Sequence, residues 1–258
     1  MDAAQRLHDA LCSSTERLAE VLEDARFERR DGYTFMTFPT VPLPSFNGVW
    51  AERNAAPADL EEALSEVETM GIPAGVLIRA GKMPTVRQAA RSIGLTNEER
   101  LPGMAATEDE MRPPAVPELE VLRVSTADGL AQSLALAATG FGVPADLLAP
   151  LYMLEVAALE GIEYYLGRVD GRDVSTAVGF TIGGTVGIFN VATPPAHRGN
   201  GYGAAITAHA VREGFAAGAD LAWLQSSRLG ESVYRRLGFR EVETYLLLTR
   251  PAEVSPSS

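Results

Sequence analysis

A short segment near position 200 has the residue types and spacing of an anion-binding loop. Residues 198–203 read Arg-Gly-Asn-Gly-Tyr-Gly, between an apolar, β-branched run at 186–193 and an alanine-rich run with helical spacing at 204–215. Pro194 and Pro195 end the predicted strand, and a helix begins at the glycines. Glycines let an anion approach the backbone, and the first N–H groups of a helix have no partner within it. The segment therefore predicts a site for a negatively charged group such as pyrophosphate.

Two common nucleotide-binding patterns do not fit this loop. A P-loop requires a lysine followed by Ser or Thr after its last glycine, whereas the only lysine of the chain is Lys82. The dinucleotide pattern can formally be placed on Gly199, Gly201 and Ala204. That pattern, however, follows its strand almost directly, and two prolines, an alanine and a histidine intervene here.

A third pattern fits better: Arg or Gln, two residues, Gly, one residue, then Gly or Ala. Arg198, Gly201 and Gly203 meet it, and Tyr234 precedes a Gly-Phe pair by four residues further along. Together these motifs resemble the acyl-CoA pyrophosphate loop and the following helix of the GNAT N-acetyltransferase superfamily. Family members often have an Asn seven residues before the Tyr, where this chain has Ser227. The serine could still hydrogen-bond to the pantetheine arm.

The elements predicted around the motifs have the order of a GNAT domain. Apolar runs and turn residues predict strands at 119–124, 164–169, 176–182, 186–193, 221–225 and 244–249, and helices at 130–138, 147–159, 204–217 and 231–237. Residues 118–250 thus resemble one complete GNAT domain. The resemblance implies an α/β fold, α+β by some schemes, with a mixed, mostly antiparallel sheet flanked by helices.

The N-terminal half repeats this order in a degenerate form. A strand at 47–51, a helix at 59–70, a strand at 75–79 and a helix at 85–93 precede Gly94. At the place of the glycine loop, residues 52–57 read Glu-Arg-Asn-Ala-Ala-Pro and contain no glycine. We therefore predict two tandem GNAT-like halves with one CoA site, in the second. An ordinary α/β domain with the same order of elements is the alternative.

These patterns predict four segments. Residues 1–107 form the degenerate N-terminal domain, and the charged, proline-rich stretch 108–117 is a linker. Residues 118–250 form the acetyltransferase domain, and residues 251–258 form a flexible tail.

The resemblance implies acetyl-CoA as the cofactor, CoA as the product and a set of residues around them. The residues expected to bind the cofactor are Val191, Thr193, Arg198, Gly199, Asn200, Gly201, Tyr202, Gly203, Ala204 and Ser227. A backbone N–H near Val191 would hold the thioester carbonyl, and Tyr234 would return a proton to the leaving thiolate. Packing of Tyr234 against CoA without proton transfer is the alternative.

The general base is not identified by the sequence. The strand at 186–193 contains no carboxylate, only Asn190. Glu155, Glu160, Glu163 or a water chain remain as candidates. A non-catalytic acyl-CoA-binding sensor or scaffold is therefore the rival of an acyltransferase that acts by direct attack in a ternary complex.

Composition limits the partners and the location. The formal net charge of −12 argues against nucleic acid and is compatible with a small-molecule or peptide amine as acceptor. Cys12 is the only cysteine and the three histidines have no ligand spacing, so we predict no metal site. No apolar run is long enough for a membrane span, which predicts a cytoplasmic protein. The strong preference for Arg over Lys suggests a bacterial source, and an exposed last strand would permit a homodimer.

Overall fold

The computed structural model describes residues 2–52 and 55–251 of the 258-residue chain. The helices are α1 (Ala3–Ala19), α2 (Pro57–Glu68), α3 (Pro84–Ser92), α4 (Ala127–Phe141), α5 (Leu154–Ala157), α6 (Tyr202–Ala216) and α7 (Glu231–Arg236). The strands are β1 (Arg26–Arg30), β2 (Tyr33–Thr37), β3 (Gly48–Ala51), β4 (Gly75–Arg79), β5 (Asn97–Ala106), β6 (Glu120–Val124), β7 (Ile162–Val169), β8 (Arg172–Ile182), β9 (Thr185–Ala192), β10 (Leu221–Gln225) and β11 (Arg240–Thr249).

The chain divides into two compact units that are not simply its two halves. Unit 1 comprises Met1–Leu22 and Pro102–Glu243, and unit 2 comprises Glu23–Leu101 and Thr244–Ser258. The boundaries therefore fall inside β5 and inside β11. This differs from the predicted division at 107 and 118, because β5 and β11 pair with strands that are distant in sequence. Of the predicted tail at 251–258, all but Pro251 lies outside the described residues.

Unit 1 is built on a sheet with the strand order β5-β10-β9-β8-β7-β6. Neighbouring strands are antiparallel except β9 and β10, which run parallel. A parallel pair needs a long crossover, and α6 supplies it. Helix α6 packs on β7, β8 and β9, and α1 and α4 also pack on β8 and β9. The predicted fold class, a mixed and mostly antiparallel sheet flanked by helices, is confirmed.

Close contact between α6 and β9 depends on a glycine. A Cβ on Gly214 would lie 2.5 Å from Cβ and Cγ2 of Val186, well inside van der Waals contact. Both residues are buried, together with Ile188, Ile206 and Ala210 of the same apolar cluster. The small residue fixes the distance between the helix and the strand that leads into residues 198–203.

Unit 2 repeats the arrangement on a smaller scale. Strands β3 and β4 are parallel and are connected through α2, and residues 245–249 of β11 pair antiparallel with β4. In unit 1, residues 103–106 of β5 pair antiparallel with β10 in the same way. Each unit thus takes the strand beside its parallel pair from the other half of the sequence. Of the loop after β3, Arg53 and Asn54 lie outside the described residues.

Local patterns predicted most elements of unit 1 but not all of them. The bounds of β4 and β10 are those predicted, and the turn between β8 and β9 has positive φ at Gly183 and Gly184, as a two-residue hairpin requires. The predicted helix at 147–159 is wrong, because Pro150 interrupts it and only 3-10 turns and the short α5 form. The sequence analysis missed α1, β1 and β5.

We predict that Gly214→Ala destabilises unit 1 although alanine is the better helix former. The added Cβ would overlap Val186, and such overpacking costs about 1–3 kcal/mol. The gain in helix propensity offsets up to about 1 kcal/mol of this. Three Val186 atoms lie within 2.7 Å of the added Cβ, so the cost should be near the upper end of that range and urea unfolding should show a net loss of about 2 kcal/mol. Glu213→Ala, at an exposed neighbouring position, should change stability by less than about 0.5 kcal/mol. Equal stability of the two variants would show that α6 can shift freely on the sheet.

Candidate active site

Strands β9 and β10 separate toward their carboxyl ends and leave a gap in the sheet. They pair only at Leu221 with Thr185, Ala222 with Val186 and Trp223 with Gly187. Beyond that point β9 continues along β8, while β10 continues along β5. Backbone groups on the two facing edges therefore have no partner from the opposite strand. A gap between parallel strands, next to the start of a helix, is a common place for a ligand.

The glycine loop lies directly after β9 and leads into α6. Gly199 has a φ of 86° and Gly201 a φ of 82°, both in the left-handed region that favours glycine. The position of a Cβ on Gly203 would be 3.2 Å from the Thr193 hydroxyl, so this residue lies close to the end of β9. The loop predicted from the sequence thus has the conformation that its glycines allow.

The backbone N–H groups of this loop are free to bind a ligand. Gly201 is the N-cap of α6, and no side chain caps the helix there. Within the described part of the chain, no hydrogen bond is made by the N–H groups of residues 199–204. Adjacent unpaired N–H groups at the positive end of a helix dipole form a site for an anion such as phosphate.

Arg198 is exposed, yet its guanidinium holds the loop in place through two hydrogen bonds. Its Nε donates to the Thr193 carbonyl at 3.1 Å, and its Nη2 donates to the Gly140 carbonyl at 2.7 Å. The guanidinium therefore ties the end of β9 to the C-terminal end of α4. Asn200 folds back inside the loop, where its Nδ2 donates to the His197 carbonyl at 3.1 Å.

A β-bulge in β9 reshapes the strand where the gap opens. Opposite β8, Val178 pairs with Phe189 and Thr176 pairs with Ala192, so one residue of β8 faces both Asn190 and Val191. Asn190 has a φ of 50°, a conformation that asparagine adopts more readily than most residues. The bulge turns the backbone around Val191 relative to the rest of the ladder.

Tyr234 lies on α7 in the same apolar cluster as the end of β9. Its ring packs against Phe239 with centroids 6.0 Å apart, and Val191 and Ala204 border the same cluster. Burial raises the pKa of Tyr234 to about 12. The phenol therefore keeps its proton at neutral pH and is a hydrogen-bond donor. Val191, Ala204 and Tyr234, which the sequence assigned to the site, thus border one apolar cluster.

Ser227 has a structural role at the start of α7. Its Oγ accepts a hydrogen bond from the Gly230 N–H at 3.2 Å, and its carbonyl accepts one from the Ser226 hydroxyl at 2.7 Å. The side chain is exposed, and its hydroxyl proton remains available to a ligand.

Three side chains near the gap have a buried polar atom, and the sequence analysis assigned only one of them, Thr193, to the site. The Oγ1 of Thr193, the Nε2 of Gln225 and the hydroxyl of Tyr152 are buried without a hydrogen-bond partner among the described residues. Gln225 ends an otherwise apolar strand, which is a signal that sequence reasoning could have used. Tyr152 lies in the run wrongly predicted as a helix.

The three candidate bases have different surroundings. Glu155 and Glu160 are exposed. Glu163 forms an ion pair with Arg123, and burial raises its pKa despite that cation. Glu163 is in register with Gly179, near the end of β7 that is remote from the glycine loop, and borders a cavity beside the C-terminal half of α6.

A groove runs along the outer side of α6 beside the glycine loop. It has a volume of about 370 Å³ and is lined by Val116, Ala205, Ala208, Phe215 and the proline-rich segment before β6. Val116 also lies 3.3 Å from the position of a Cβ on Gly201. The groove therefore starts next to the unpaired N–H groups.

Neither a metal-ligand cluster nor a membrane-spanning helix is present among the described residues. There, no three His, Cys, Asp or Glu side chains are grouped as a metal ion would require. None of the helices that the structure describes is long and apolar enough to cross a membrane.

Comparison with known proteins finds a family model that matches this segment. Residues 160–241 match the family model described as the acetyltransferase (GNAT) domain. Both the glycine loop and Tyr234 lie inside this match, so the resemblance to GNAT acetyltransferases is confirmed. No curated protein matches the sequence.

Solved structures share the fold over most of the chain. A GCN5-related N-acetyltransferase from Kribbella flavida is 22% identical, with a TM-score of 0.74 over 98% of this chain and 97% of the other. A conserved protein of unknown function from Staphylococcus epidermidis is 14% identical, with a TM-score of 0.68 over 90% of this chain and 96% of the other. A GCN5-related N-acetyltransferase from Sphaerobacter thermophilus is 21% identical, with a TM-score of 0.57 over 75% and 67%. At these identities the matches establish the fold.

We predict that Arg198→Lys lowers the free energy of unfolding of the ligand-free protein although it keeps the positive charge. A single ammonium group cannot bond both carbonyls that Arg198 now joins. Because the site is exposed, urea unfolding should show a loss of about 0.5–1 kcal/mol. Arg172→Lys, at an exposed position in the same unit, is the control and should change little. If both substitutions were neutral, Arg198 would act only through its charge.

Proposed function

We propose that this protein is an N-acetyltransferase that transfers the acetyl group of acetyl-CoA directly to an amine and releases CoA. The observation that carries the proposal is the set of unpaired N–H groups at residues 199–204, at the mouth of the gap between β9 and β10. A pyrophosphate fits this set because its oxygens accept several hydrogen bonds at once. The GNAT match over residues 160–241 supports the same reading.

The residues around the loop would hold the other parts of acetyl-CoA. The buried Thr193 hydroxyl, which lacks a partner in the described structure, borders Gly203, and the exposed Ser227 hydroxyl can donate to the pantetheine arm. Asn200, Tyr202 and Ala204 contribute backbone N–H groups. The groove beside α6 begins next to Gly201 and offers an apolar surface to the adenosine end.

Acetyl-CoA supplies an acyl group already activated as a thioester. The chain must therefore orient the two substrates, polarise the thioester carbonyl and donate a proton to the leaving sulfur. A backbone N–H near Val191 donates to the carbonyl oxygen as negative charge develops there, which can contribute about 3–4 kcal/mol. The amine nitrogen attacks, the C–N bond forms and the C–S bond breaks. Tyr234 donates its proton to the leaving sulfur, and the proton lost by the nitrogen returns to Tyr234 through solvent. Attack therefore requires the neutral form of the amine.

One observation favours the rival function, a non-catalytic acyl-CoA-binding module. The carboxylates considered as general bases are either exposed to solvent, as Glu155 and Glu160 are, or paired with a cation, as Glu163 is with Arg123. A sensor or scaffold would bind acetyl-CoA without turning it over. The two functions share the glycine loop and differ in whether CoA is released.

Further properties remain predictions from the sequence. The acceptor is a small-molecule or peptide amine, and a bacterial source, a cytoplasmic location and a homodimer complete the proposal. In the structure the last strand is not a free edge along residues 245–249, because these residues pair with β4. That pairing removes one reason for expecting the homodimer.

We predict that acetyl-CoA stabilises the protein through the glycine loop, with one ligand bound per chain. A hundredfold excess over Kd should raise the free energy of unfolding by about 2.7 kcal/mol. Gly199→Ala should remove most of this gain, because a Cβ at a φ of 86° strains the loop that presents the N–H groups. Thermal unfolding with and without acetyl-CoA measures the effect.

Gly218→Ala is the matched control for this test. Gly218 has a φ of 98°, and, as at Gly199, no atom lies within 4 Å of an added Cβ. Both variants should lose similar stability without ligand, but only Gly199→Ala should lose the response to acetyl-CoA. An equal response in both variants would place the ligand elsewhere. Release of CoA with benzylamine, ethanolamine or glycylglycine then distinguishes the enzyme from the sensor.

We predict that Tyr234→Phe lowers kcat by about 10²-fold or more while the affinity for acetyl-CoA changes little. The raised pKa, about 12, keeps Tyr234 protonated across the working range. A pH profile of the wild type should therefore show no alkaline loss from this group below about pH 11. Below pH 9, kcat/KM for the amine should rise with the fraction of neutral amine. Full activity of Tyr234→Phe would leave the side chain only a packing role.

A further inference from the structure

A buried tyrosine outside the donor site has an unsatisfied hydroxyl. Tyr152 is 6% exposed, and its hydroxyl makes no hydrogen bond of acceptable geometry within the described structure. Burial raises the pKa of this phenol, so it stays protonated at neutral pH. A buried polar group without a partner is costly, and native structures rarely keep one without a reason.

Strand alternation places Tyr152 on the face of the sheet opposite α6. Tyr165 on β7 packs against His209 of α6, with ring centroids 5.1 Å apart. Tyr164, the preceding residue, must therefore face the other side. The Tyr152 ring packs on Tyr164 with centroids 5.4 Å apart, which puts it on that side too.

The same hydroxyl lies beside the gap in the sheet. The Asn190 side chain lies next to the Tyr152 hydroxyl, where it lowers the pKa of the phenol against the larger effect of burial. Asn190 is half-buried at the bulge of β9, three residues beyond the last pairing of β9 with β10. Two uncharged polar side chains thus meet where the strands have parted.

Gln225 supplies a third polar group on the same face. Ala222 and Leu224 belong to the apolar cluster beneath α6, so alternation turns Trp223 and Gln225 to the opposite face. The buried Nε2 of Gln225 also lacks a partner among the described residues. Polar side chains therefore border the gap from both strands, Asn190 on β9 and Gln225 on β10.

We propose that Tyr152 and Asn190 bind the nitrogen of the acceptor amine on the face of the sheet opposite α6. The inference rests on the proposed function, because the donor loop and Tyr234 lie with α6 on the other face. An amine held at Tyr152 can reach a thioester from that face only where β9 and β10 have separated. The gap therefore brings the two substrates together.

Both groups suit a neutral amine. The Tyr152 oxygen has two lone pairs and the Asn190 amide oxygen also has two, so each accepts a hydrogen bond from the nitrogen. Two such bonds leave the nitrogen lone pair directed away from them, toward the carbonyl carbon. Met153 and Leu154, which follow Tyr152, are 43% and 50% exposed and offer an apolar surface to the group that carries the amine.

Tyr152→Phe and Asn190→Gly test this proposal without disturbing the fold. Removal of an unsatisfied hydroxyl should leave the melting temperature unchanged or higher. Glycine at a φ of 50° relieves backbone strain. Tyr164→Phe is the matched control, because the Tyr164 hydroxyl donates to the Leu151 carbonyl. The control should lower the melting temperature and leave the amine KM unchanged.

The assay measures CoA release with acetyl-CoA and three probe amines, benzylamine, ethanolamine and glycylglycine, together with the acetyl-CoA-induced melting shift. We expect Tyr152→Phe and Asn190→Gly to keep the shift and to raise the amine KM by about 3- to 10-fold each. The double variant should raise the amine KM by less than the product of the two single-variant factors, because the two groups bind one nitrogen.

Two results would overturn the inference while the donor site stands. One is an unchanged amine KM in Tyr152→Phe. The other is a normal acetyl-CoA shift in the wild type with no release of CoA from any of the three amines. If the wild type shows no acetyl-CoA shift, the proposed function itself fails, and the acceptor site falls with it.

Discussion

The separation of β9 and β10 is the feature on which the rest of the site depends. An aromatic pair packs beside the last paired residues of these strands. Trp223 packs edge-on against Phe189 with centroids 5.3 Å apart, and its indole N–H donates to the Thr185 hydroxyl at 3.0 Å. Gly187 admits the ring, because a Cβ there would lie 2.6 Å from it. Strand β9 stays paired with β8 and β10 stays paired with β5, so opening the gap removes only the hydrogen bonds between β9 and β10.

The anion site works against the overall charge of the protein. A chain with a net charge of −12 does not attract phosphate by its long-range field. Bulk salt screens exposed charges beyond about 10 Å, whereas N–H groups at a helix start act at contact distance. Two of the Arg198 donors are already used to hold Thr193 and Gly140. The loop therefore relies on backbone groups, whose positions α6 and Arg198 fix.

The sequence predicted what local patterns determine and missed what distant partners determine. The glycines at 199–203 and the apolar strand β10 require only their neighbours in sequence, so both were predicted. The pairing of β5 with β10 joins residues more than a hundred positions apart, and the charged start of β5 gives no strand pattern. Asparagine permits the positive φ at Asn190 but does not require it. The position of Tyr152 depends on Pro150, which breaks an otherwise helical run.

The second unit shows why the same topology need not bind the same ligand. Helix α2 follows β3 as α6 follows β9, yet its first turn already carries a carboxylate. The Asp59 carboxylate accepts from the Ala56 N–H at 3.3 Å and places a negative charge in the first turn. Helix α6 has neither an acidic residue in its first turn nor a capping side chain. A phosphate at α2 would have to displace that carboxylate and meet its repulsion, whereas at α6 it would supply the acceptor that the helix lacks.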